Sequence, residues 1–312
     1  MMCDLFFGSI NLFTVPTSDP LFATILYDIR LPKTITSIMA GSGLALSGLL
    51  MQSLFRNPLA GPYVLGISSG SSLFVAIATM LVSSAQFSPI YMVGKSIISL
   101  FSVIGALFVT FTILLISRKN KSNVILLLIG LMFGQILGAL QGFIEYISNP
   151  NDLKTFVIWG MGQVGNTTRD DLWLMIPICV TTVASSFFFV KSLNAILLNE
   201  QYAQNLGINI QRLKMAIIII TAILVGIITA FCGPIAFIGM STPIATRLLF
   251  KTSHHLHQMT FCILMGACVM VTADLICQLL SSSIMLPINT ITTLIGSPIV
   301  LYLLFKSKIN MI

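Results

Sequence analysis

Long apolar runs separated by short polar or charged segments make up most of this chain. Each run is continuous rather than alternating between apolar and polar residues, which disfavours a β-barrel. A helix needs about 20 apolar residues to cross the hydrocarbon core of a bilayer. The pattern therefore predicts an all-α polytopic membrane protein with about nine spans, at residues 34–52, 64–83, 96–117, 123–146, 172–190, 213–231, 235–250, 259–280 and 290–305.

Composition supports the membrane prediction and excludes several other classes of protein. The 312 residues are 56% hydrophobic and 8% charged, whereas soluble domains carry about 25% charged residues. The net charge of +7 comes from scattered lysines and arginines and not from a concentrated patch, which argues against nucleic acid as a partner. The six cysteines show no CxxC spacing, so neither a disulfide framework nor a metal site is expected.

The distribution of basic residues predicts the orientation in the membrane. One face would hold eleven of them: Arg56, Arg118, Lys119, Lys121, Lys191, Arg212, Lys214, Arg247, Lys251, Lys306 and Lys308. The other face would hold five: Arg30, Lys33, Lys95, Lys154 and Arg169. Because basic loops stay in the cytoplasm, the first face and the C-terminus are predicted to be cytoplasmic.

The first 33 residues do not fit a complete span. Residues 1–10 are apolar but too short, and residues 11–29 carry Asp19, Pro20 and Asp28. A signal peptide is not expected, because no basic n-region precedes the apolar stretch. We predict a truncated first helix and periplasmic connection at 1–33, from a lost helix or an upstream translation start, and one transmembrane domain at 34–312.

Two segments of the chain resemble each other and predict a weak inverted repeat. Residues 59–68 are similar to residues 231–241 with one insertion, and each follows an apolar helix preceded by basic residues. The two helices are five spans apart, an odd number, so they would run in opposite directions, as in inverted-repeat transporters. Chance similarity remains an alternative. The predicted helix-breaking or packing residues are Gly61, Pro62, Gly66, Gly233, Pro234, Gly239 and Pro243.

The sequence contains no complete motif for phosphate binding or for metal binding. Gly94-Lys95-Ser96 lacks the earlier glycine of a phosphate-binding loop, because Pro89 stands at that position. The three histidines at 254, 255 and 257 favour a solvated loop over a metal site. We therefore expect no catalytic residue, no metal and no cofactor bound by this chain.

Asp274 lies inside an apolar run, where an ionisable residue is a candidate for function or for a buried structural pair. A proton-coupled carrier would need further buried acids or histidines as relay partners. Only Glu145, near a helix end, is available, which argues against that mechanism.

The segment 191–214 is the most informative polar stretch. Leu198, Tyr202, Ala203 and Leu206 form one apolar stripe at helical spacing, and Gly207 is suited to end the helix. The pattern predicts a short amphipathic cytoplasmic helix. Periodicity alone leaves open whether it rests on lipid or docks into a partner protein.

Several ordered motifs identify the chain as a member of a known family. The sequence from about residue 21 to the C-terminus resembles the permeases of iron-siderophore, haem and vitamin B12 ABC importers. The motifs that carry the resemblance are Arg30-Leu31-Pro32-Lys33, Arg56-Asn57-Pro58-Leu59-Ala60-Gly61-Pro62, Leu206-Gly207-Ile208-Asn209, Gly233-Pro234-Ile235-Ala236-Phe237-Ile238-Gly239 and Ala273-Asp274-Leu275.

The resemblance implies a ten-helix subunit of the bacterial inner membrane that pairs with a second copy, or with a homologous permease, around a central path. Two cytoplasmic ATPase subunits, which bind the ATP and Mg²⁺, would dock on a segment that includes Glu200, Ala203, Leu206, Gly207 and Ile208. A periplasmic or lipoprotein substrate-binding protein would dock at Arg30 and Lys33, since the family has basic residues there.

The sequence also departs from the family pattern. Gln278 stands where members commonly have a basic residue, Met285 where they often have glutamate, Asn289 where they often have glycine, and Ile244 where they have histidine. Two alternatives to an active import permease therefore remain: a secondary, ion-coupled carrier and a truncated homologue that does not transport.

Overall fold

The computed structural model describes residues 20–84, 91–119, 123–280 and 286–309, and every structural statement below refers to these residues. They contain helices and connecting turns but no strand. This confirms the all-α prediction. The predictions for residues 1–19 lie outside the described residues.

The α-helices follow one another with short connections. Those of the first half are α1 (Pro20–Thr24), α2 (Leu31–Phe55), α3 (Ile67–Ser84), α4 (Tyr91–Lys119), α5 (Asn123–Ile147) and α6 (Pro150–Gly160). Those of the second half are α7 (Arg169–Ser186), α8 (Val190–Leu198), α9 (Glu200–Asn205), α10 (Ile210–Cys232), α11 (Ile238–Phe250), α12 (His255–Leu280) and α13 (Ile288–Ile309). A π-helical segment, Ile25–Arg30, joins α1 to α2, and 3₁₀ turns lie at Pro62–Leu65 and Phe187–Phe189.

Six helical segments are long and apolar enough to cross a membrane: Leu21–Phe55, Ile97–Ile116, Ile125–Ile147, Arg169–Leu198, Ile210–Cys232 and His255–Leu280. Two shorter apolar helices occupy Ile67–Met80 and Ile288–Tyr302. Helices suit a bilayer because all their backbone hydrogen bonds are internal. Every predicted span contains a helix, but the number of crossings and the inverted repeat stay predictions.

Helix α2 lies at the centre of the molecule and is buried along nearly its whole length. It packs against α10, α11 and α12, and most extensively against α12. Glycines allow these close contacts. A Cβ atom added to Gly41 would lie 2.2 Å from the carbonyl oxygen of Gly266, and one added to Gly48 would lie 1.5 Å from that of Gly239. Small residues permit this backbone contact in membranes, where lipid offers no hydrophobic drive for helix association.

The structure corrects the prediction for residues 20–33. We expected a truncated first helix and a periplasmic connection at 1–33, but the chain is helical from Pro20 and runs without a break into α2. The charges at Arg30 and Lys33 suggested a loop. Instead, Arg30 is buried and Lys33 forms an ion pair with Asp274, so both are compatible with a helix packed against protein.

A second correction concerns the segment after α7. The span predicted to end at residue 190 continues through a 3₁₀ turn and α8, so the apolar segment reaches Leu198. Buried Leu193 and Ile196 hold α8 in the core. The amphipathic helix is therefore shorter than predicted and is confined to α9.

Two further differences involve short helices. Helix α6 was not predicted, because its 11 residues carry Asp152 and Lys154 and bury only Phe156. The predicted span 235–250 is a helix of 13 residues. Pro243, predicted as a helix-breaking or packing residue, lies buried inside α11, and the non-helical residues 233–237 precede this helix.

The close crossing of α2 and α11 makes a direct prediction. Gly48→Ala should lower the free energy of unfolding by about 1–3 kcal/mol, because its new methyl group would overlap the backbone of Gly239. Gly142→Ala is the matched control: Gly142 is also inside a helix, and an added Cβ there meets no atom within 4 Å. The apparent melting temperature in detergent should fall for the first variant and stay constant or rise for the second. Equal melting temperatures would contradict the packing described here.

Candidate functional site

The predicted coupling segment forms a well-capped turn of helix at one end of the molecule. The side chain of Asn199 accepts a hydrogen bond from the Gln201 N–H at 3.1 Å and caps the N-terminus of α9. At the other end Gly207 has a φ of 80°, and the Ile208 N–H donates to the Ala203 carbonyl at 3.1 Å. Gly207 therefore ends the helix in a left-handed cap, as its sequence position predicted.

The predicted apolar stripe of this segment points in two directions. Ala203 is fully buried against the body of the protein, whereas Leu198, Tyr202 and Leu206 are 72%, 47% and 58% exposed. The coupling face, as we call these three exposed side chains, is an apolar surface formed by the last residue of α8, by α9 and by its C-terminal cap, and buried Ala203 anchors it from behind. Such a surface is suited to cover by a partner protein.

An ion pair links α9 to the next long helix. The Nζ atom of Lys214 in α10 lies 3.6 Å from Oε1 of Glu200. Lys214 is largely buried and Glu200 is about one-third exposed. The predicted coupling residue Glu200 thus contacts the first turns of α10.

The two Gly-Pro segments identified in the sequence meet beside the second half of α2. A Cβ on Gly239 would lie 3.0 Å from the ring of Pro62, and one on Gly61 would lie 3.8 Å from the Met240 Cβ. Gln52 donates from Nε2 to the Met240 carbonyl at 3.0 Å. Gly66 has a φ of 72° and lies against Gly134 of α5. These residues therefore let non-helical backbone enter the helical core.

Asn289 holds the second of these segments in place. Its Oδ1 accepts a hydrogen bond from the Ala236 N–H at 3.0 Å, and its Nδ2 donates to the Pro234 carbonyl at 2.7 Å. Unpaired backbone groups in a buried or membrane setting are costly. The asparagine at the start of α13 thus satisfies the backbone that the helix break leaves open.

The intramembrane acid is part of a buried ion pair. Oδ1 of Asp274 in α12 lies 2.9 Å from Nζ of Lys33 in α2, and Gln278 donates to Oδ2 at 3.0 Å. The Asp274 side chain is 3% exposed. Gln278, a departure from the family pattern, therefore takes part in binding this carboxylate.

This pairing bears on the predicted docking residues. Lys33 already binds Asp274, and Arg30 is 7% exposed. A role for either residue in contacting a binding protein stays a prediction.

A cavity of about 500 Å³ lies between α3, α5 and α6. None of the described residues that line it carries a charge. They are Tyr63, Ser68, Ser69, Ser72, Gly130, Leu131, Gly134, Gln135, Gly138, Gln141, Phe156, Gly160 and Pro234. Its serines, glutamines and glycines make a wide and weakly polar surface.

The three histidines after residue 253 were predicted to lie in one solvated loop. His254 and His257 are exposed, but His255 is only 1% exposed and contacts Ser53 and Asn194. Among the described residues no group of three or more potential metal ligands comes together. Neither Asn194 nor Asn289 stood out as functional, because a single polar residue carries no periodic signal.

Comparison with known proteins supports the family prediction. A model of the FecCD transport family matches residues 2–306. The haemin transport system permease protein HmuU of Yersinia pestis is 32% identical over 96% of this chain and 88% of its own length. The vitamin B12 import system permease protein BtuC of Klebsiella pneumoniae is 34% identical over 91% of this chain and 83% of its own length.

Solved structures share the fold. A metal-chelate type ABC transporter in an inward-facing conformation matches with a TM-score of 0.86 and 28% identity, over 97% of this chain and 94% of that chain. PsaBC from Streptococcus pneumoniae matches with a TM-score of 0.57 and 14% identity over 90% and 93% of the two chains, which shows likeness of fold alone.

The buried ion pair predicts a non-additive pair of mutations. Lys33→Met should lower stability by about 3–5 kcal/mol, because the buried Asp274 carboxylate loses its counter-ion. Combining it with Asp274→Leu should restore much of the loss, since two apolar side chains can replace a buried pair. Thermal unfolding of the two single variants and the double variant measures this. Additive losses would show that the two groups act independently.

The hydrogen bonds of Asn289 predict that its removal lowers the stability of the protein. Asn289→Ala should lower stability by about 1–3 kcal/mol, because the Ala236 N–H and Pro234 carbonyl lose their partner. Asn151→Ala, at an exposed position of α6, should change stability by less than about 0.5 kcal/mol. The same thermal measurement applies, and equal effects of the two substitutions would exclude the bracing role of Asn289.

Proposed function

The chain belongs to the FecCD transport family and is a permease subunit, and we propose that it forms the membrane path of an ATP-driven importer for large metal chelates. The observation that supports an ATP-driven mechanism is the coupling face at the junction of α8 and α9. The proposed cargo class is haem, cobalamin or a ferric siderophore. The names of the similar proteins, a haemin permease and a vitamin B12 permease, support this class.

The coupling face is the proposed dock of a cytoplasmic ATPase subunit. Leu198, Tyr202 and Leu206 present apolar side chains to the outside, while Ala203 and Glu200 fix the helix to the protein body. An apolar centre surrounded by polar residues is typical of a protein interface. ATP and Mg²⁺ would bind in the partner, because this chain lacks a phosphate-binding loop.

The cavity and the outer face of α5 are the proposed wall of the central path. Leu131 contributes to the cavity, and Leu128, Met132, Ile136 and Leu140 of the same helix are between 50% and 57% exposed. A second copy of the chain, or a homologous permease, would cover this apolar face. The uncharged lining suits a bulky cargo that must pass without being held tightly.

The proposed setting is a bacterial inner membrane with the coupling face and the C-terminus in the cytoplasm. The excess of eleven basic residues over five supports this orientation. A substrate-binding protein would deliver cargo at the opposite end, where Arg30 and Lys33 begin α2.

An ABC ATPase subunit co-expressed with the chain tests the proposal. The ATPase should co-purify with the wild-type chain, and Leu206→Glu should reduce the recovered ATPase about tenfold or more, because it places a charge in the apolar interface. Leu206→Met is the matched control and should retain the ATPase, since the side chain stays apolar and similar in size. Unchanged binding of the Leu206→Glu variant, in correctly folded protein, would contradict docking at this face.

A further inference from the structure

Three helices are joined by a set of polar side chains, which we call the polar junction: Ser53 near the end of α2, Asn194 in the middle of α8 and His255 at the start of α12. The His255 ring lies between the other two. Its Nδ1 is 2.9 Å from Oδ1 of Asn194, and its Nε2 is 2.9 Å from Oγ of Ser53. The His255 backbone N–H also donates to Oδ1 of Asn194 at 2.9 Å.

The hydrogen bonds fix the chemistry of the junction. Because Oδ1 of Asn194 accepts from the backbone N–H, it is an acceptor toward the ring as well, so Nδ1 of His255 carries a hydrogen and donates it. In the neutral ring Nε2 is then an acceptor toward the Ser53 hydroxyl, which also donates to the Leu49 carbonyl at 2.8 Å, so the one hydroxyl hydrogen is shared between these two acceptors. Asn194 uses its remaining Nδ2 toward His254 at 3.2 Å. Each polar group at the ring therefore has a defined partner.

Two residues of the junction, His255 and Ser53, are buried, and Asn194 is half-buried. His255 is 1% and Ser53 8% exposed, and leaving a polar group unpaired at such a site is destabilising. A second contact lies beside it: the guanidinium of Arg56, the residue that ends α2, donates to the Ile196 carbonyl of α8. Helix α8 thus cannot shift relative to α2 without breaking both contacts.

The location of the junction connects the coupling face to the centre of the molecule. Asn199 alone separates α8 from α9, so a movement of α9 acts directly on α8. On the other side of the junction, α2 contacts α12 at Gly41 and Gly266 with backbone against backbone. The ion pair that links α9 to α10, Glu200 with Lys214, is longer at 3.6 Å and is about one-third exposed on the Glu200 side.

We propose that the polar junction transmits the movement of an ATPase docked at the coupling face from α8 into α2 and α12, with His255 as the positioning residue. The inference rests on the proposed function, because it takes α9 as the ATPase dock. His255 touches neither ATP nor cargo in this account. It sets the alignment of α8 with the two helices that pack at the core.

The test uses the chain reconstituted in vesicles with its ATPase subunit and measures both ATP hydrolysis and cargo uptake. His255→Ala should leave ATPase binding and hydrolysis within about twofold of wild type and reduce the cargo imported per ATP at least tenfold. His255→Asn can keep the bond to Asn194 but not the one to Ser53, and Ser53→Ala removes only that hydroxyl. Both should show the same uncoupling, which keeps the test valid if His255→Ala does not fold.

The control is His257→Ala, two residues further on, whose side chain is exposed and has no contact with Ser53 or Asn194. It should import cargo per ATP as the wild type does. If Ser53→Ala and His255→Asn keep the wild-type ratio of uptake to hydrolysis, the junction does not transmit the movement. If instead the wild-type chain fails to bind an ATPase at all, the proposed function fails and not the junction alone.

Discussion

The close backbone contact of α2 with α11 and α12 is the constraint on which the rest of the structure depends. In a bilayer, apolar side chains gain little by leaving lipid for protein, so helices associate through tight packing and polar contacts. Gly48 and Gly41 allow α2 to lie directly against the backbones of Gly239 and Gly266. Larger residues at these positions would separate the helices and open the core around α2.

The polar contacts that define the candidate site follow from this packing. Lys33 at the outer end of α2 reaches Asp274 because α12 is so close, and Ser53 at the other end reaches His255 for the same reason. The two residues are 20 positions apart, which is about 30 Å along a helix. Helix α2 therefore connects the predicted cargo-delivery side with the predicted ATPase side as one continuous element.

Much of this arrangement could be predicted from the sequence, because apolar runs and glycine positions are local signals. The runs predicted a helix in every span, and Gly207 predicted the end of α9. Polar residues within apolar surroundings were harder to interpret. Lys33 and Arg30 were predicted to lie outside a helix, and His255 was predicted to be exposed to solvent. Their partners could not be identified because they lie far away in the sequence: Asp274 is 241 positions after Lys33, and His255 is 202 positions after Ser53. The pairing that makes such residues compatible with a core exists only once the helices have packed.

The most direct test of the account is the energy source of transport. Vesicles that contain the chain with an ABC ATPase should take up haem, cobalamin or a ferric siderophore when ATP is present on the side of the membrane where the ATPase is bound. Uptake should not depend on a proton or sodium gradient, since the buried acid Asp274 is already paired with Lys33. Uptake driven by an ion gradient through the chain alone, without ATP or an ATPase, would contradict the account.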